Sequence, residues 1–294
     1  MKRYLEMAGG RRSALPADNN RVMMISPELV LYFGLIGETT PRSLGSLTIY
    51  LSFCEPFRFR TECGCWEDRH AAVVAPYLEH QIIAHDRVGM LLIEPETIDM
   101  AHVQRAGEVD GSADLAVVVD SLMNFMHRRS DALHEQDEQS IAEIRDTALG
   151  GQLQRRHLDP RIGAIVAMIR DQPWERFSAE SCALVCGLSV SRFLHLFKSE
   201  LGVAFRRFVA WKRARCALEY VKHRASLTDI ALELGYPDSS HFSHSIRKTY
   251  GFSPRTMFFA SRHLSLCMAS IVGEPERTAA NSHAACDEHA RVCA

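Results

Sequence analysis

The chain of 294 residues lacks the features that mark several large classes of protein. No apolar run approaches the ~20 residues that a membrane-spanning helix needs, so we expect no membrane partner. The first twenty residues carry basic side chains but no apolar core of a signal peptide, so we expect a cytoplasmic protein. Nine cysteines are scattered along the chain, and without an export signal they predict reduced thiols rather than disulfides.

Signatures of catalysis are also missing. A metal-dependent cupin enzyme would need a His-x-His pair with a further carboxylate and histidine, and no such pair occurs between residues 27 and 110. His70, His80 and His85 lie in this region at spacings that fit no metal motif. No glycine-rich phosphate loop or nucleophile elbow stands out either. We therefore expect a protein that is not an enzyme and needs no cofactor or metal, with a cupin-type metalloenzyme as the least favoured alternative.

Two groups of cysteines leave another alternative open, a regulator that responds to metal or to oxidation. Cys63 and Cys65 lie near Cys54 and His70 in the sequence, and paired thiols can bind soft metals or be oxidised. In the stretch 283–293, histidines and cysteines recur at ligand-like spacing, but without the turns that close a structural zinc site. The simpler interpretation of both groups is incidental thiols.

Charge is unevenly divided along the chain, although the net charge is only −2. Residues 157–265 contain 16 Lys and Arg against 9 Asp and Glu, and the remainder of the chain contains 18 against 27. A basic segment in an otherwise acidic chain favours a polyanionic partner for that segment.

Hydrophobic periodicity predicts a β-rich N-terminal half. Residues 1–26 are interpreted as a flexible lead-in. LGSLTIYLSF at 44–53 alternates apolar and polar residues, as a half-buried strand does, and FRFRT at 57–61 alternates again. Several short strands at this spacing predict a small β-sandwich or barrel over residues 27–110.

The apolar spacing becomes helical after Gly111. Residues 111–157 are predicted to form helices and a linker, and residues 158–263 a wholly helical domain. The remainder, 264–294, has no sustained period and is predicted to be a disordered tail. The expected fold class is therefore α+β with two domains.

The helical segment contains an internal repeat. SRFLHLFKSELG at 191–202 aligns with SHFSHSIRKTYG at 240–251, with an offset of 49 residues. Upstream, Ala183 and Gly187 match Ala231 and Gly235. Each copy predicts a helix, a tight turn at the glycine and a second helix, over about 178–201 and 226–250.

Capping residues support this interpretation of both copies. Ser226 and Asp229 have the spacing of a capping box at the start of one helix, and Asp238 is a predicted N-cap for the next. In the first copy, Ser178 and Ser189 are the corresponding predicted N-caps.

The second helix of each copy has one narrow apolar seam and an opposite polar face. At about 100° per residue, Phe242, Ile246 and Tyr250 share one side of the later helix. The opposite sides carry a small polar residue, a histidine and cations, which suit phosphates and the acceptors on base edges. We predict that these residues contact DNA: Ser191, Arg192, His195 and Lys198 in the first copy, and Ser240, His244, Arg247 and Lys248 in the second. An ordinary solvated face explains one such helix, but not two matching ones.

Over about residues 160–260 the sequence resembles the AraC/XylS family of bacterial transcription regulators. DIALELGYPDSSHFSHSIRKTYGFSP is similar to the signature of that family's second motif, and CGLSVSRFLHLFKSELG to its first. The resemblance implies a sequence-specific regulator that binds double-stranded promoter DNA through two helix-turn-helix motifs. After Pro254 the family places Tyr-Arg where this chain has Met257 and Phe258, which leaves the orientation of the last helix open.

The resemblance also implies how the two motifs are joined. A long helix over 205–223 would hold the recognition helices one DNA turn apart, ~34 Å. Arg206, Arg207 and Lys212 on this helix either contact phosphate or are merely solvated.

The N-terminal half resembles the cupin-like sensing domains of the same family more loosely. This resemblance implies a small-molecule effector, and a homodimer formed through the helices of 111–157. The apolar stripe LAVVVDSLMNFM would face the partner subunit or, alternatively, pack on its own barrel. RNA polymerase is a further expected partner.

Overall fold

The computed structural model describes residues 21–52, 54–62, 64–99, 156–223, 225–260 and 264–268. Strands occupy the N-terminal part and helices most of the C-terminal part, so the predicted α+β fold class is confirmed. The apolar stripe predicted to form a dimer interface lies outside the described residues.

The eight described strands form one sheet. Their order is β5-β4-β7-β2-β1-β8, with β3 paired to both β6 and β7. The 14-residue strand β7 is long enough to pair with three others, and every pair is antiparallel except β1 with β8. The strands are β1 (Arg21–Ile25), β2 (Leu29–Glu38), β3 (Leu47–Ser52), β4 (Phe57–Thr61), β5 (Glu67–Arg69), β6 (Ala71–Val74), β7 (His80–Ile93) and β8 (Leu264–Met268).

Two predicted boundaries of the β region are wrong. β1 lies within the predicted lead-in 1–26, and β8 lies within the predicted tail 264–294. The two strands pair in parallel from Arg21 opposite Leu264 to Ile25 opposite Met268. Each strand is only five residues long and is held by a partner from the far end of the chain, which local periodicity cannot reveal.

The strand predicted at 44–53 is present as β3, but the prediction that it is half-buried is wrong. All six residues of β3 are buried, including Thr48 and Ser52. The strand pairs with β6 along one edge and with β7 along the other, and both of its faces are covered. A strand covered on both sides has no solvent face, whatever its polar residues suggest.

Seven helices are described in the C-terminal part. They are α1 (Pro160–Asp171), α2 (Ala179–Val185), α3 (Val190–Leu201), α4 (Phe205–Cys216), α5 (Leu227–Glu233), α6 (Ser239–Tyr250) and α7 (Pro254–Ala260). In the described part of the chain, no single helix is long and apolar enough to span a membrane. Only α2 and α3 taken together have that length and apolar character, and the two helices are bent by 87° relative to each other.

The long helix predicted over 205–223 is shorter than expected. α4 ends at Cys216, and residues 217–222 form turns held by hydrogen bonds between residues three apart, such as Leu218 N–H to Arg215 C=O at 3.0 Å. Leu218 and Val221 in this stretch are 4% and 5% exposed and pack toward the sheet. The tighter turn therefore accompanies burial of these two side chains against the N-terminal part.

A buried cluster of charges joins α4 to the sheet. Glu94, just after β7, is fully buried; it accepts a hydrogen bond from Trp211 Nε1 at 2.9 Å and pairs with Lys212 and Arg215. Burial alone would raise the pKa of Glu94, but the positive charges of Lys212 and Arg215 outweigh burial and hold this pKa below its usual value. Lys212, which also pairs with Glu96, is only 4% exposed, so the expectation that it contacts phosphate or solvent is wrong.

Candidate nucleic-acid interface

The first motif (residues 178–201) has the local structure that its sequence predicts. The Ser178 hydroxyl accepts from Ser181 N–H at the start of α2, and the Ser189 hydroxyl accepts from Arg192 N–H at the start of α3. Gly187, in the turn between the two helices, has a φ of +63°. The predicted caps and turn are confirmed.

The second motif (residues 226–250) repeats this arrangement. Ser226 and Asp229 form the predicted capping box of α5, and the Asp238 carboxylate accepts hydrogen bonds from two backbone N–H groups at the start of α6. Gly235 has a φ of +72°, and a Cβ there would lie 2.2 Å from the carbonyl oxygen of Trp174. Only glycine satisfies both the turn and this close approach.

Both second helices bury the predicted apolar seam. Phe242, Ile246 and Tyr250 of α6 are buried, as are the phenylalanines and Leu201 of α3. Phe197 packs edge-on against Phe208 of α4 with ring centroids 5.5 Å apart, which fixes the rotation of α3 about its axis. The orientation of each seam determines which side chains remain outside.

All eight residues predicted to contact DNA have exposed side chains: Ser191, Arg192, His195, Lys198, Ser240, His244, Arg247 and Lys248. Within the described residues, none of the four cations among them forms an ion pair with the protein. The only acidic residue of α3, Glu200, accepts a hydrogen bond from the backbone N–H of Asp159 at 2.8 Å. Each motif therefore presents cations, imidazole and hydroxyl groups that are available to a ligand.

The basic residues of α4 have different surroundings. Arg206 is exposed, whereas the Arg207 guanidinium lies 4.6 Å from the centre of the Tyr77 ring of the N-terminal part. Arg207 is thus engaged in a cation–π contact, although it remains exposed.

The C-terminal end of α6 is tied to the N-terminal part, a contact that the sequence interpretation missed. Thr40 donates from its backbone N–H and its hydroxyl to the carbonyl oxygen of Gly251, at 3.0 and 2.9 Å. Ser43 N–H donates to the carbonyl oxygen of Lys248 at 3.1 Å. A Cβ on Gly251 would lie 2.7 Å from the carbonyl oxygen of Thr40, so the glycine permits this approach as well as ending the helix. In the sequence around the end of α6, Gly251 was the only residue that pointed to this contact.

The described residues give little support to the two alternatives, a cysteine-based sensor and a metal-dependent enzyme. Cys63 and the stretch 283–293 lie outside them, and Cys54 and Cys65 are exposed free thiols. His80 is buried and hydrogen-bonded to Tyr50 and to the backbone of Leu78. Across the described ranges, no three His, Cys, Asp or Glu side chains converge as metal ligands would.

Comparison with known proteins agrees with this geometry. Residues 182–258 match a family described as a helix-turn-helix domain. The transcriptional activator RhaS of Enterobacter sp. (strain 638) is 33% identical over 98 residues, which cover 33% of this chain and 35% of that protein. The transcriptional regulator MtrA of Neisseria gonorrhoeae is 24% identical over 207 residues, covering 69% and 60% of the two chains. The crystal structure of apo ToxT K231A from Vibrio cholerae covers 79% of this chain and 97% of that one, with 11% identity and a TM-score of 0.49.

The duplicated motif and the match over residues 182–258 define a helix-turn-helix protein, like the curated transcription regulators to which the chain is similar. Within that class, the chain is similar to regulators of the AraC/XylS family. It spans between about a third and three fifths of the length of the curated relatives described above.

Proposed function

We propose that this protein is a sequence-specific regulator of transcription in which α3 and α6 enter successive major grooves of double-stranded DNA. The observation that carries the proposal is the duplication. Two helices with buried seams in matching positions expose the same series of serine, histidine and cation. A solvated helix surface has no reason to repeat this series.

Each type of side chain has a distinct role in this proposal. Lys198, Arg247 and Lys248 supply positive charge for phosphates, and an arginine additionally has the forked geometry that reads guanine. The small residues Ser191 and Ser240, near the N-terminal ends of α3 and α6, allow the backbone to approach DNA closely. Arg192 and the two histidines complete the contact surface.

The N-terminal part would control these helices in response to a small-molecule effector. The hydrogen bonds from Thr40 and Ser43 to the end of α6 support this coupling, because a shift of the sheet would displace the second motif directly. From the similarity to AraC/XylS regulators we extend the proposal to homodimerisation, contact with RNA polymerase, a cytoplasmic location and the absence of catalysis. The domain limits 111–157 and 158–263 remain predictions, whereas the β-rich part extends beyond the predicted 27–110 to include β1 and β8.

Selection of bound DNA from a random pool tests the proposal most broadly. We expect an enriched sequence with two half-sites whose centres are about 10 base pairs apart, one for each motif. The variant Arg247→Ala should select DNA with relaxed preference in one half-site only, whereas the control Arg58→Ala, on an exposed position of β4, should select the wild-type sequence. A pool without enrichment after selection by the wild-type protein would refute the proposed function.

A further inference from the structure

The two helix-turn-helix motifs bury their seams in separate clusters of apolar side chains. α4 contributes to both, with Phe208 in the cluster of the first motif and Trp211 in that of the second. However, α4 ends at Cys216, and residues 217–222 that follow it form turns rather than helix. Because these turns lie between α4 and the second motif, the orientation of that motif depends on contacts other than a continuous helix.

Arg213 of α4 holds the segment that leads from α1 into the first motif. Its Nη2 atom donates a hydrogen bond to the carbonyl oxygen of Glu175 at 2.9 Å, and its Nε atom donates to that of Pro173 at 3.4 Å. Between these two residues, the carbonyl oxygen of Trp174 lies so close to Gly235 that a Cβ there would be only 2.2 Å away. The segment that leads into the first motif therefore lies directly against the turn of the second.

The same guanidinium contacts the second motif through Tyr236, the residue after the glycine of the turn. The Cζ atom of Arg213 lies 5.8 Å from the centre of the Tyr236 ring, which is within the range of a cation–π contact. Tyr236 is only 9% exposed, and its ring packs edge-on against Phe242 with centroids 5.3 Å apart. Its hydroxyl lies 3.0 Å from Oγ of Ser245. Phe242 and Ser245 both belong to α6, so the position of Tyr236 fixes the rotation of α6 about its axis.

We propose that Arg213 is a positioning residue for DNA binding, which holds α3 and α6 at the one relative orientation that fits adjacent grooves. The fork of its guanidinium binds the segment before α2, and its flat face lies against the tyrosine before α6; these contacts together are called the Arg213 bridge. A lysine could not replace it, because an ammonium group has neither the planar fork nor the flat face. This inference rests on the proposed function, since the orientation matters only if both helices bind DNA.

A rigid pair of reading helices accepts only a narrow range of half-site spacings. One inserted base pair moves the second half-site by about 3.4 Å along the DNA axis and rotates it by about 35°, since 10–10.5 base pairs make one turn. A protein that cannot follow this displacement binds only one half-site and loses the gain in affinity from binding both at once. Loss of the Arg213 bridge should therefore broaden the spacing preference without changing the contacts inside each half-site.

Fluorescence anisotropy of the full chain on three DNA duplexes tests the bridge. The duplexes are the selected site, the same site with one base pair inserted between the half-sites, and a site with the second half-site scrambled. We expect the wild-type protein to bind the selected site at least ~tenfold more tightly than the inserted one. In Arg213→Met, which keeps the apolar stem but removes the guanidinium, this ratio should fall to about threefold or less. The affinity of Arg213→Met for the single remaining half-site should equal that of the wild-type protein.

Arg206→Met is the matched control, because it removes an exposed arginine from the same helix and should keep the wild-type ratio. If circular dichroism shows that Arg213→Met does not fold, Arg213→Lys replaces it; this variant keeps the charge, loses the fork and should also lower the ratio. An unchanged ratio in the folded variant, or an equal loss of affinity on all three duplexes, would refute the Arg213 bridge. A wild-type protein that selects no DNA sequence would instead refute the proposed function.

Discussion

The two helix-turn-helix motifs have matching sequences but different surroundings. The first motif buries its seam in a cluster drawn from the helical part, with Tyr77 as its one neighbour from the N-terminal part among the described residues. The second motif shares its cluster with sheet residues such as Met23, Val30 and Leu92, and the end of α6 is hydrogen-bonded to Thr40 and Ser43. The duplication therefore supplies two similar helices, of which α6 is joined directly to the N-terminal part.

The largest expected effect concerns the charge cluster that joins the two parts. Glu94→Gln removes the buried carboxylate that pairs with both Lys212 and Arg215, so we expect a loss of about 3–5 kcal/mol in the free energy of unfolding. Urea denaturation measures this loss. Glu67→Gln, which removes an exposed partner of Arg69, is the control and should cost at most about 1 kcal/mol. Equal losses would show that the buried cluster does not hold the two parts together.

The glycines that end α3 and α6 provide a matched pair of positions. Gly202 and Gly251 have φ values of +73° and +79°, so alanine is strained at both, by about 1–2 kcal/mol. A Cβ at Gly202 meets nothing within 4 Å, whereas a Cβ at Gly251 meets the Thr40 carbonyl oxygen. Gly251→Ala should therefore cost about 1–3 kcal/mol more than Gly202→Ala in thermal or urea unfolding. Similar costs would contradict the close docking of α6.

Contacts with DNA should be lost motif by motif. Arg192→Ala and Arg247→Ala should each weaken binding to a selected site by about 1–3 kcal/mol if the arginine reads a guanine. Fluorescence anisotropy on wild-type and half-site-mutated DNA distinguishes base reading from phosphate contact, since a phosphate contact weakens all sequences equally and reduces the salt dependence. Unchanged affinity in both variants would exclude these roles.

The helix caps should show the smallest difference between the motifs. Ser226→Ala removes a reciprocal capping box and should cost about 1 kcal/mol of stability. Ser178→Ala removes a cap whose box is incomplete, because Ser181 rather than an acidic residue stands three positions on, and should cost somewhat less. Chemical denaturation of both variants makes the comparison, and a larger cost at Ser178 would reverse the expected order.

Local features were predictable from the sequence, and distant contacts were not. The caps at Ser178 and Ser226 and the exposed position of Arg247 follow from helical period and spacing, which act within a few residues. The burial of Lys212 depends on its ion pair with Glu94, which is 118 residues away in the sequence. Nothing in the sequence near either residue identifies the other as its partner. The same holds for β1 and β8, whose pairing links the two ends of the described chain.

Hydroxyl-radical footprinting of a selected DNA site tests the central claim most directly. The wild-type protein should protect two segments about 10 base pairs apart on one face of the DNA. Arg192→Ala should weaken protection in one segment and Arg247→Ala in the other. Loss of the same segment in both variants, or a single protected segment for the wild-type protein, would contradict two helices reading adjacent grooves.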